Sequence, residues 1–121
     1  MQKIISQKEL ADIVDNPITY DTKTKKIIPL VNGIGDSIIF RKVLTELKSM
    51  YGNRKIVLGT LCPELFEDID GVETIELVES MRYEHYNRFN IYWFMYVNKW
   101  NGTLENAYRA LLLSDAKEDS N

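Results

Sequence analysis

The residues most able to do chemistry in this chain sit together at Asn32-Gly33-Ile34-Gly35-Asp36, between an apolar run and an amphipathic segment. Glycines at such a bend permit positive φ and let a ligand approach the backbone. The first amides of a following helix favour an anion. Asp36 then has two possible roles. Its carboxylate can cap the helix, which alone would justify an aspartate there and is favoured by the residues taken by themselves. It can also act as a general base toward a hydroxyl held at the mouth of the sheet. A dinucleotide fingerprint does not fit, because Ile38 stands where the third glycine belongs. No acid follows the second apolar run at Gly59-Thr60-Leu61-Cys62 either, and the bend carries no phosphate-binding lysine.

Other reactive side chains are few. His85 is the single histidine, set among Arg82-Tyr83-Glu84 and Tyr86-Asn87-Arg88, and reads as a surface loop residue rather than part of a nucleophilic triad. Cys62 is the single cysteine, so no disulfide framework exists within the chain. One Cys and one His do not make a structural zinc site, so no metal is expected, and no cofactor.

The elements around the bend alternate in type. Ile27 to Val31 is an apolar run suited to a strand covered on both faces, although Pro29 removes a ladder donor and argues against a central position. From Ser37 to Met50, Ile39, Phe40, Val43, Leu44, Leu47 and Met50 follow helical spacing, and Gly52-Asn53 supplies a left-handed stop. Lys55 to Gly59 predicts a second strand. Pro63 opens a short helix closed by Gly71, and Thr74 to Val78 predicts a third strand with Glu73 and Glu76 guarding an edge. Asn90 to Val97 predicts a fourth strand, and Leu104, Ala107, Tyr108, Leu111 and Leu112 a final helix. Ahead of these, Ser6-Gln7-Lys8-Glu9 fits a capping box leading a helix through Val14 that Asn16-Pro17 ends, so residues 1–25 read as helix and turn. The polar tail from Asp115 to Asn121 is expected to fray. The pattern predicts a single α/β domain over 1–121: a Rossmann-like three-layer half-domain whose mostly parallel sheet has about four strands in the order 3-2-1-4.

Composition sets limits on partners. The 121 residues are 45% hydrophobic and 27% charged, with a net charge of -3, which speaks against a nucleic-acid binder. Between Lys55 and Arg82 lie seven acids and no base, a stretch that would repel phosphate. No apolar run approaches the length needed to span a bilayer, and no signal-peptide core is evident, so a cytoplasmic location is expected.

Asn32 to Leu44, Leu47-Lys48, Tyr51-Gly52, Lys55 to Leu58 and Pro63-Glu64-Leu65-Phe66 resemble the opening of heptosyltransferase-like (family 9) glycosyltransferases of GT-B type. Gly71 to Ile75 is similar to the strand that follows in that family. The resemblance covers about two-thirds of the chain and the first part of such an enzyme. It implies an acceptor-sugar lobe, with Asp36 as base on the acceptor hydroxyl and Asn32, Gly33 and Gly35 shaping the acceptor mouth. Lys42 stands where the family commonly has proline, and the donor-binding lobe is not part of this sequence. The expected product is therefore a truncated relative or one part of a split sugar-transfer enzyme. The alternative is a non-catalytic binding or oligomerisation module. The dense aromatics from Tyr83 to Trp100 would carry it, with a second subunit or partner covering the Tyr92–Tyr96 region.

Overall fold

The computed structural model describes residues 18–119. Its sheet has three parallel strands, β1 (Lys25–Pro29), β2 (Lys55–Thr60) and β3 (Val72–Glu76), in spatial order β1-β2-β3. The register runs from Lys25 opposite Lys55 to Pro29 opposite Gly59, and from Ile56 opposite Val72 to Thr60 opposite Glu76. Helices join and cover the strands: α1 (Ile34–Leu47), α2 (Leu77–Met81), α3 (Ile91–Val97) and α4 (Leu104–Asp119).

Side chains alternate across a strand, so the apolar runs of β1 and β2 serve two faces. Ile28, Leu30, Ile56 and Leu58 enter one core with Phe40, Val43 and Leu44 of α1 and Tyr108, Leu111 and Leu112 of α4. Ile27 and Val57 line the other face with Ile75 and Tyr83. There α2 lies so close that a Cβ on Gly59 would stand 1.9 Å from Ser80 Oγ, which makes that glycine a packing requirement. Helix α1 closes through a tight turn, Lys48–Tyr51, and Gly52 ends it at φ 67 and ψ -133, with the positive φ expected there but outside the αL region.

The α/β class and the parallel sheet agree with expectation; the fourth strand does not. The segment expected as a strand over Asn90 to Val97 is helix α3, and β1 has no strand on its outer side among the described residues. The order 3-2-1-4 therefore reduces to 3-2-1. Two local causes favour the helix. The Asn90 side chain accepts from the Tyr92 and Trp93 amides at 3.1 and 3.3 Å, an N-terminal cap. Ile91, Phe94 and Met95 then form an inward stripe, while Tyr92, Trp93, Tyr96 and Val97 face out. As an edge strand, β1 tolerates Pro29 without losing a bond, and the outward Ile27 amide donates to Tyr20 Oη at 3.3 Å.

Other boundaries move as well. The helix expected from Pro63 to Gly71 is a single turn, Pro63–Leu65. Strand β3 ends at Glu76, and Leu77 and Val78 open α2 instead of closing a strand. The tail expected to fray from Asp115 stays helical through Asp119, with Asp115 buried. The helix expected over Ser6 to Val14 lies outside the described residues.

A buried ion cluster locks α4 to the sheet. Lys26 of β1, 1% exposed, pairs with Asp115 at 3.0 Å, and Arg88 Nη2 reaches the same oxygen at 2.8 Å. Tyr51 Oη donates to the other Asp115 oxygen at 2.9 Å. Two cations and a hydroxyl thus saturate one carboxylate away from water, as a buried charge requires. Nearer solvent, Lys42 bonds Glu105 at 3.0 Å, tying α1 to α4. Lys42, and secondarily Arg109, hold the Glu105 carboxyl below its usual range. These ties fix the helix that carries Tyr108. Among the described residues no helix is long and apolar enough to cross a membrane.

Candidate functional site

Strand β1 is followed by Leu30, whose amide donates to Gly59 O at 2.8 Å, and the chain then turns through Asn32 and Gly33. Gly33 is the N-cap of α1, in an extended conformation with no side-chain cap. Asp36 therefore lies inside the first turn, and the capping role expected for it does not hold. The turn is instead reinforced by Ser37, whose amide and hydroxyl both bond Gly33 O, at 3.0 and 2.8 Å.

Released from capping, the Asp36 carboxylate reaches sideways. Its Oδ2 accepts from Tyr108 Oη of α4 at 2.8 Å. Asn32 Nδ2 donates to that same hydroxyl at 3.1 Å. Asn32, Tyr108 and Asp36 so form a short chain of oriented bonds in which the phenol is both acceptor and donor. Burial pushes the Tyr108 phenol well above its usual range; the Asn32 donor opposes this and the Asp36 carboxylate adds to it. The hydroxyl consequently keeps its proton and remains a donor. The outer oxygen, Oδ1, has Tyr92 Oη of α3 at 3.5 Å, the outer limit of a hydrogen bond.

The structure brings Asn32, Gly33, Gly35 and Asp36 together at the carboxyl end of β1. Neither Gly33 nor Gly35 has positive φ, contrary to the expectation for the bend. A Cβ built on either would meet nothing within 4 Å, so both face open space from which a ligand could approach the backbone. His85 lies in a loop with its ring exposed, and Cys62 is a half-buried free thiol whose amide donates to Thr60 Oγ1 at 2.9 Å. Among the described residues no three His, Cys, Asp or Glu side chains gather to hold a metal ion.

Two tyrosines of the site escaped the sequence reading. Tyr108 was visible only as one position of an apolar stripe, although a tyrosine buried on such a stripe needs a partner for its hydroxyl. Tyr92 reads in the sequence as part of a fourth strand and of a partner-covered aromatic region, not as a neighbour of Asp36. Beside Tyr92, Trp93 and Tyr96 stack with ring centroids 6.0 Å apart and 27° between planes, and Phe94 packs behind against Trp100 at 6.3 Å.

Fold and site together define an α/β protein with a carboxylate at the carboxyl edge of a parallel sheet, consistent with a Rossmann-like construction. Comparison of the chain with protein-family models, curated proteins and solved structures found no match in any of the three.

Proposed function

We propose that this chain is the acceptor lobe of a sugar-transfer enzyme, similar to heptosyltransferase-like glycosyltransferases, with Asp36 as its base. The observation that supports this most is the division of labour within the Asp36 carboxyl: Oδ2 is oriented by Tyr108, while Oδ1 has only the marginal Tyr92 contact. In the reaction Oδ1 takes the proton of an acceptor hydroxyl as that oxygen bonds to the anomeric carbon of a nucleotide-sugar. The bond from that carbon to the diphosphate breaks, and the nucleotide leaves with the electron pair. Asn32, Gly33 and Gly35 line the acceptor side. The donor is held by a lobe outside these residues, either another chain or a further domain, and the protein acts in the cytoplasm.

Transfer of a labelled sugar from nucleotide-sugars to simple glycosides, measured with this chain assembled with the chain or domain that holds the donor, tests the proposal. Asp36→Asn is expected to lower turnover by about a hundredfold or more, the usual contribution of a positioned base. Unchanged turnover in that variant contradicts it.

A second reading has its own observation. Tyr92, Trp93, Tyr96 and Val97 are all exposed on one helix, a surface suited to a non-catalytic module that binds a partner or a second copy. Solution mass that rises with concentration, together with no calorimetric heat from any nucleotide-sugar or glycoside, favours that reading.

A further inference from the structure

We infer that the outer face of α3 is a stacking platform for a neutral sugar ring whose hydroxyl is presented to Asp36. The inference rests on the acceptor-lobe reading and names the residues that would recognise the acceptor.

Three observations carry it. The first is exposure without a core role: Tyr92, Trp93 and Tyr96 are 57%, 53% and 77% exposed, although rings of this size normally bury much of their surface. The second is preorganisation. Trp93 and Tyr96 hold each other nearly parallel, Asn90 caps the helix beneath them, and Phe94 anchors its back on Trp100. Rings already ordered lose little entropy on binding. The third is placement: Tyr92 Oη is 3.5 Å from Asp36 Oδ1, so the platform borders the carboxylate oxygen that Tyr108 leaves free.

The chemistry of the occupant follows from charge. Ile91 to Val97 contains no Asp, Glu, Lys, Arg or His, so nothing on the helix offers a counter-charge. Among the described residues Asp36 meets the outer face through Tyr92 and repels phosphates and carboxylates, whereas Arg88 and Asp115 flank Phe94 on the inner side. A ligand with apolar C–H faces and a fringe of hydroxyls satisfies both halves: its face lies on the aromatic rings and a hydroxyl donates to Oδ1. A pyranose has that division, and sites for such ligands combine an apolar lining with a few fixed polar groups. Tyr92 Oη then occupies the place that the ligand hydroxyl takes, and it moves aside on binding.

The test is an NMR titration of the isotope-labelled full chain with methyl α-D-glucopyranoside, methyl α-D-mannopyranoside and methyl β-D-galactopyranoside, each carried well into the millimolar range. At least one glycoside should shift the ring and indole signals of Tyr92, Trp93 and Tyr96 together with the Asp36 amide, along one binding curve. Trp93→Ala should weaken that curve about tenfold, the scale for removing an aromatic anchor, while Trp93→Phe, which keeps a ring, should recover most of it. Silence at α3 with all three glycosides overturns the platform. So does a response confined to Asn32 and Asp36, which would leave the acceptor reading standing. Signals of α3 that move with protein concentration but not with sugar also overturn it, in favour of a second copy. A sugar-dependent shift at α3, with transfer insensitive to Asp36→Asn, keeps the platform and removes the base.

Discussion

Two aspartates among the described residues each accept from a tyrosine hydroxyl at nearly the same distance, yet they do opposite work. Asp115, 4% exposed, takes Tyr51 at 2.9 Å and adds buried Lys26 at 3.0 Å and Arg88, which reaches in from the surface, at 2.8 Å. Asp36 takes Tyr108 at 2.8 Å, sits half-buried, and keeps an oxygen with one contact at 3.5 Å. The tyrosine does not distinguish them; the counter-charges do. A carboxylate that is itself buried and flanked by two cations is committed to the fold. One held by a single oriented hydroxyl at an open edge retains capacity to accept another proton donor.

The contrast can be broken at its strongest point first. Lys26→Ala leaves Asp115 without its buried cation and should cost about 3–5 kcal/mol in urea unfolding, as expected when one member of a buried pair is removed. A loss below about 1 kcal/mol would mean that the cluster is not what fixes α4.

The tyrosines offer a matched pair. Tyr51→Phe strips a buried charged acceptor of a donor and should cost about 1.5–3 kcal/mol, whereas Tyr108→Phe should cost nearer 1 kcal/mol because solvent can reach Asp36. Equal losses in denaturant titrations would erase the distinction.

Tyr108 also gives a sign for alkaline pH. Its folded phenol is raised above the ordinary value of 10.0, so the folded state holds the proton more tightly than the unfolded chain. The resulting stability is complete below pH 10.0 and declines as pH rises beyond it, while the unfolded phenol ionises first. Tyr108→Phe should flatten that part of the pH–stability curve; an unchanged slope would remove Tyr108 as its source. The smallest effect belongs to Tyr92→Phe, which loses one marginal contact at an exposed ring. It should alter unfolding free energy by less than about 0.5 kcal/mol. A larger loss would make α3 part of the structural lock.

How much of this was legible depends on where polar residues set the phase. The first two strands were readable because Ile27 to Leu30 and Ile56 to Leu58 are continuous apolar runs. The first helix was readable because Arg41, Lys42 and Thr45 mark the side away from Phe40, Val43 and Leu44. Ile91 to Val97 has no such marker. Every residue is apolar or aromatic, so a period of 2 and one of 3.6 fit equally, and only Asn90 in front hinted at a helix. The bend with Asp36 is legible, but a cap at Asp36 places the helix start one turn too late, since the helix begins at Ile34 behind Gly33. Asp115 was discounted as tail although it continues the Leu104, Tyr108, Leu111 and Leu112 face. Its burial depends on Lys26, 89 positions away along the chain, a pairing that no local pattern encodes.

The most direct measurement of the central claim is the unfolding free energy of Asp36→Asn set beside that of Asp115→Asn in the same buffer. The account predicts a loss of about 3 kcal/mol or more for the residue that faces two cations in the interior, and about 1 kcal/mol or less for the one at the open edge. Equal losses, or a larger one at Asp36, would show that carboxylate to be a structural element and would contradict the assignment of its weakly held oxygen to chemistry.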